Sequence, residues 1–221
     1  MIETESIPQR NARPEPSKAA VNDYLDCVYS AALRQVGDPH LAADITQTVF
    51  LIFHKKQAHF NARTPLLAWL LRTTRYTCLA ALRRERHRKF HERKAASMHD
   101  EAHLDDSQDL MGVIDAAIDD LGNADRVAIV AIYFEGLSAA EYARRAAISE
   151  QAAYKRVQRA LEKLKMAIKK RGNAAGEHGI NERLLSLAVP TVAPASLAAS
   201  ISRFMPGMYR RVFSRWSKEL P

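Results

Sequence analysis

In the stretch LSAAEYARRAAISEQAAYKRVQRALEKLK, from Leu137 to Lys165, five side chains that can grip or read a polyanion stand close together: Tyr154, Lys155, Arg156, Gln158 and Arg159. Lysine and arginine donate to guanine edges and phosphate oxygens, and glutamine pairs with adenine. Each good bidentate pair gives about 1–3 kcal/mol of discrimination between bases. Three- and four-residue spacing puts Tyr154, Lys155, Gln158 and Arg159 on one side of a helix, opposite Val157 and Leu161. Arg156 suits a phosphate or an internal carboxylate equally well. This is binding chemistry, with no bond to be broken.

Such a helix needs a scaffold to present it. Ser138 and Glu141 have the spacing of a capping box, in which each side chain satisfies a free backbone donor at a helix start. Ala140 and Ala143 give that first helix a thin face, so a second helix can approach closely. In the AIS turn, Ile148 can plug the core and Ser149 can cap the helix that follows. Ala153, Val157, Leu161, Leu164 and Ile168 supply the second helix with an apolar stripe. The pattern predicts a helix-turn-helix, whose second helix enters the major groove. Ordinary helical hairpins share the pattern. The adjoining DRVAIVAIYFEG helix and a cationic helix upstream favour the DNA-binding form.

Upstream, Leu25, Val28, Tyr29, Ala32, Leu33 and Val36 recur as one helix face. GDP then ends that helix and starts another, with Asp38 as cap and Pro39 at the first helical position. Thr64-Pro65 repeats this start for a long third helix whose far end, RRERHRKFHERK, is strongly cationic. Three such helices can share a core. The expected organisation is a disordered arm (1–20), a helical bundle (21–94), an acidic linker (95–109), a helix-turn-helix domain (110–171) and a C-terminal helical extension of uncertain role (172–221).

The totals agree with an all-α chain: 221 residues, few aromatics and only eight glycines. A net charge of +8 suits a polyanionic partner without specifying one. Cys27 and Cys78 stand far apart with no metal-ligand spacing around them, which fits a reducing cytoplasm. Nothing reads as a signal peptide or as a membrane span.

Taken together, AADITQTVF, AWLLRTTRYTCLAALRRERHRK and the helix-turn-helix stretch resemble regions 2 and 4 of bacterial sigma factors of the extracytoplasmic-function class. The resemblance spans roughly 22–90 and 113–168. It implies a transcription initiation factor with core RNA polymerase and promoter DNA as partners, and leaves room for an anti-sigma factor. Asp44, Gln47 and Phe50 match the family's polymerase-docking positions, Phe50 being equally suited to the core; Thr48 stands where the family usually carries an acid. Phe60, Asn61, Arg63, Arg72, Arg75, Tyr76, Arg83 and Arg84 fall where the family contacts the minus-ten element, with Tyr76 replacing the usual Asn and Ala80 the usual Asp. Trp69, on the same helix, reads better as core than as a stacking platform. Tyr154, Lys155, Arg156, Gln158 and Arg159 fall where it reads the minus-thirty-five element. The acidic linker matches the segment that joins the two regions inside the polymerase; its composition alone says only flexible spacer. The alternative is a helix-turn-helix regulator acting without core polymerase.

No catalytic constellation is present, so the chain does not read as an enzyme, and no cofactor or metal is expected. The pairs His87/His91 and His99/His103 have i,i+4 spacing but lie in highly charged surroundings that favour solvated side chains. Near the end, Phe204, Met208, Val212 and Trp216 recur among arginines, an amphipathic basic pattern that can meet a membrane surface, a partner or the protein's own helices.

Overall fold

A computed structural model describes residues 18–56, 59–60, 65–95, 110–172 and 179–204. Every regular element among them is helical. Most of the arm, the acidic linker, His99, His103 and the basic aromatic end beyond Phe204 lie outside the described residues.

Helix α1, Lys18–Val36, starts just inside the segment read as an arm. It stops at Gly37, whose φ of +69° is open to glycine and whose N–H donates to the Leu33 carbonyl at 2.8 Å, closing the last turn. Asp38 then caps α2, Pro39–Lys56: its Oδ1 accepts from the Leu41 N–H at 2.6 Å, and Pro39 takes the first helical position. Helix α3, Leu66–Ala95, follows; Thr64, its expected cap, is not among the described residues. The three share a core through Val28, Ala32, Ile45, Val49, Phe53 and Leu70. Along α3, Leu67, Leu70 and Cys78 are buried, whereas Leu79 and Leu82 are half-buried. Burial pushes the Cys78 thiol up to about 12, so it stays protonated and inert.

The second core is built from α4, Leu110–Asp120; α5, Asn123–Ile129; α6, Ala139–Ala146; and α7, Glu150–Lys170. Helix α5 runs on as a π-helical turn, Val130–Phe134, and all five of those residues are buried. The turn brings Tyr133 and Phe134 inward beside Val157 and Leu164. Arg126, at 5% exposure, is a structural arginine: it donates to the carbonyls of Asp119 (3.1 Å) and Leu121 (3.0 Å) and to Asn123 Oδ1 (3.1 Å). It thereby pins the α4–α5 corner, and burial lowers its pKa.

The C-terminal extension, expected to be helical, forms two helices among the described residues: α8, Ile180–Leu187, and α9, Ala195–Phe204. They go to different places. Ile180, Leu184 and Leu187 of α8 join the second core, whereas Leu197 and Ile201 of α9 join the first. The cores also touch directly, since Cys27, Leu67 and Ala68 pack into the second.

Candidate nucleic-acid interface

The helix-turn-helix is held by local bonds. Ser138 Oγ accepts from the Glu141 N–H at 3.2 Å, while Glu141 Oε2 accepts from the Ser138 N–H at 2.7 Å and from its hydroxyl at 2.7 Å, a complete capping box. These bonds to Ser138 hold the Glu141 carboxyl below its ordinary value. At the other end of α6 the Ala147 N–H donates to the Arg144 carbonyl (3.2 Å) and the Ile148 N–H to the Ala143 carbonyl (3.0 Å). That is a Schellman ending with alanine in glycine's place, at φ 53°. Ile148 packs against the core from there, and Ser149 Oγ accepts from the Ala152 N–H at 3.2 Å to start α7.

Along α7 the stripe Ala153, Val157, Ala160, Leu161, Leu164 and Ile168 is buried. Lys155 and Arg159 are exposed on the outer side, with Tyr154 and Gln158 half-buried beside them. Arg156 differs: its Nη1 donates to the hydroxyl of Tyr142, a residue 2% exposed on α6, at 3.4 Å. This bond links α7 to α6. Lys163 pairs with Asp125 at 2.5 Å and ties α7 to α5. Arg145 pairs with Glu135, bracing α6 against the end of the π-helical turn. The sequence reading passed over Gln151. It is exposed in the first turn of α7, the end of a recognition helix that reaches base edges, and the predicted N-cap at Ser149 was the signal that could have found it.

The second group of candidates lies on α3. Phe60 is half-buried and meets Trp69 edge-on, with ring centroids 4.8 Å apart, and Phe53 at 5.2 Å. This aromatic cluster fixes the approach to α3; Asn61 and Arg63 lie outside the described residues. Trp69 is half-buried and belongs to this cluster. Tyr76 is 52% exposed, with the Arg72 carbon Cζ 5.5 Å from its ring centroid and Arg72 Nη2 donating to its hydroxyl at 3.4 Å. The Tyr76 hydroxyl bond pushes the Arg72 guanidinium pKa up. The Nε atoms of Arg72 and Arg75 each stand 3.6 Å from Asp119 of α4, charge pairs too long for hydrogen bonds. Nearby, Arg34 of α1 forks onto Asp115 at 3.1 and 3.2 Å. Arg83 and Arg84 are exposed further along α3, as are His87 and His91. No group of three His, Cys, Asp or Glu side chains among the described residues could hold a metal ion.

The third group lies on α2. Asp44 is exposed, Gln47 is half-buried with its amide donating to Ser200 Oγ of α9 at 3.3 Å, and Phe50 is 3% exposed. Thr48 is exposed, and its hydroxyl donates to the Asp44 carbonyl at 2.8 Å. The structure thus sets three groups on three surfaces: α7, the outer half of α3, and α2. No helix among the described residues is long and apolar enough to cross a membrane.

A model described as Sigma-70 region 2 matches residues 20–88, and one described as Sigma-70, region 4 matches residues 111–164. Among solved structures, the chain is similar to one in the co-crystal structure of the sigma factor RpoE in complex with the anti-sigma factor NepR from Bartonella quintana. The identity is 23%, the match covers 69% of this chain and 96% of that one, and the TM-score is 0.31. No curated protein matches.

Proposed function

Because the chain belongs to the sigma-70 family, we propose that it directs core RNA polymerase to a specific set of promoters, in the manner of the extracytoplasmic-function class. A sigma factor binds the polymerase core and promoter DNA, and the polymerase does the chemistry. Its place of work is the cytoplasm, where both partners are found. The observation that carries the finer reading is α7: a capped helix, anchored on its apolar stripe, with Gln151, Lys155 and Arg159 exposed on the outer side. This is the form a major-groove helix needs.

In this reading α7 selects the minus-thirty-five element. Gln151, Lys155 and Arg159 reach base edges and phosphates, Tyr154 and Gln158 flank them, and Arg156 keeps α7 seated on α6. The basic face of α3 holds the minus-ten strand once it is opened: Arg72, Arg75, Arg83 and Arg84 meet phosphates, and exposed Tyr76 offers a ring to an unstacked base. Such stacking is worth about 1–3 kcal/mol per base. Phe60 acts from within the aromatic cluster, and Asn61 and Arg63, which follow it in the sequence, contact the same element. Asp44, Gln47 and Phe50 form the polymerase-docking face of α2. An anti-sigma factor is a fitting regulator for a factor of this class.

The test is reconstitution with core polymerase and a library of promoters, scored by run-off transcripts. A defined subset of promoters should give transcripts. Lys155→Ala and Arg159→Ala should cut transcription from that subset and relax preference in its upstream element. Transcripts with no promoter preference, or none at all, would overturn the reading.

A further inference from the structure

The C-terminal extension is fastened across both cores. Helix α8 is seated on the second, where the Tyr133 hydroxyl donates to Asn181 Oδ1 at 2.5 Å. The chain then passes over α1. The buried Ser30 hydroxyl donates to the Thr191 carbonyl at 3.1 Å and accepts from the Thr191 N–H at 2.6 Å, and Asp26 Oδ1 accepts from the Ala193 N–H at 2.8 Å. These bonds fix where α9 lands. Ala193, Leu197 and Ile201, all 7% exposed or less, enter the same apolar cluster as Val49 and Phe50 of α2. Ser200 accepts from Gln47 on that helix.

Gln47 and Phe50 are two of the three positions read above as gripping the polymerase. A helix is about 10–12 Å across with its side chains, and packed helices lie about 8–10 Å apart. The face of α2 that holds α9 therefore has no room for a helix of another protein. We infer that α9 is the occupant of this docking surface in the free protein, and that core polymerase and α9 take it in mutual exclusion. This rests on the docking reading of α2. Only Asp44 stays exposed, as a first foothold for the polymerase. Displacing α9 means breaking one side-chain bond to α2 and uncovering two aliphatic side chains, while Ser30, Asp26 and α8 keep the strap attached. Tethered in this way, the occupant competes at a fixed, concentration-independent level. It lowers the apparent affinity for core polymerase by the fraction of molecules in which α9 is off.

The experiment compares the full chain with its Leu197→Asp/Ile201→Asp variant, measuring affinity for core polymerase. Buried carboxylates on α9 cannot stay against the core, so the variant should bind about tenfold more tightly if roughly a tenth of the unaltered molecules are open. Equal affinities would overturn the inference and leave the docking reading standing. Failure of both proteins to bind would bring down the docking reading and the inference with it. Hydrogen exchange on the unaltered chain needs no variant: adding core polymerase should strip protection from the amides of residues 198–203 while α2 gains it. Protection of both helices in the complex would overturn the mutual exclusion.

Discussion

Lys155, Arg156 and Arg159 carry the same charge within one and a half turns of α7 but stand in different surroundings. Lys155 and Arg159 face solvent, whereas Arg156 bends back to the Tyr142 hydroxyl. Each phosphate contact releases condensed counterions, so losing one flattens the plot of log affinity against log salt by about 0.9. Lys155→Ala and Arg159→Ala should either flatten that slope or, where the side chain reads a base, weaken binding to the selected promoter alone. Arg156→Ala should leave the slope unchanged and lower stability by about 0.5–1 kcal/mol, the worth of one partly exposed hydrogen bond. DNA titrations at several salt concentrations, with a thermal melt of each variant, check both. The difference was not legible in the sequence: i,i+4 spacing orients residues within a helix, but Tyr142 lies on another helix, 14 positions away.

At the level of elements, the joints of the helix-turn-helix are local and so were readable. Ser138 with Glu141, Asp38 with Pro39, and Ser149 all act within four residues, where composition and spacing decide. Ala147 escaped notice because alanine does not announce a left-handed residue; the Schellman bonds around it impose φ 53°. An L-residue there costs about 1–2 kcal/mol that glycine avoids, less glycine's larger entropy loss. Ala147→Gly should therefore raise stability by about 0.5–1 kcal/mol in denaturant titration. Glu141 gives the capping box a pH dependence. Its folded-state pKa is lowered, so its contribution is complete above the unfolded value, about 4.3, and fades as pH falls through the folded value. Glu141→Ala should cost about 1 kcal/mol at pH 7 and progressively less below about pH 4, read from melts across pH 3–7. The helical character of the C-terminal extension was legible, but the bounds of α8 and α9 and the cores they join were not, for a different reason. Each is short, with prolines between them, and each is stabilised by burial on a distant core, not by its own pattern.

Across the whole molecule, the surfaces proposed to meet polymerase and DNA are partly engaged with the protein itself. Asp119 stands against Arg72 and Arg75, and α9 lies on α2. Acidic residues of α4 thus face the arginines proposed for the minus-ten strand. Arg72 is nearly half exposed, so solvent screens its pairing. Asp119→Asn should raise affinity for a single-stranded minus-ten oligonucleotide by a factor of about two to five at low salt, with the gain vanishing near 1 M salt. Asp115 and Asp119 fall within the segment expected to be helical from residue 110; that this helix packs on α1 and α3 and sets both acids against their arginines emerges only from the fold. What remains central is the division of labour between a module that grips the polymerase and one that chooses the DNA. Co-elution with purified core polymerase in size-exclusion chromatography tests it most directly. The unaltered chain should co-elute at one copy per core, and Asp44→Ala should reduce the retained fraction; a chain that elutes alone at micromolar concentrations of both proteins would contradict the account.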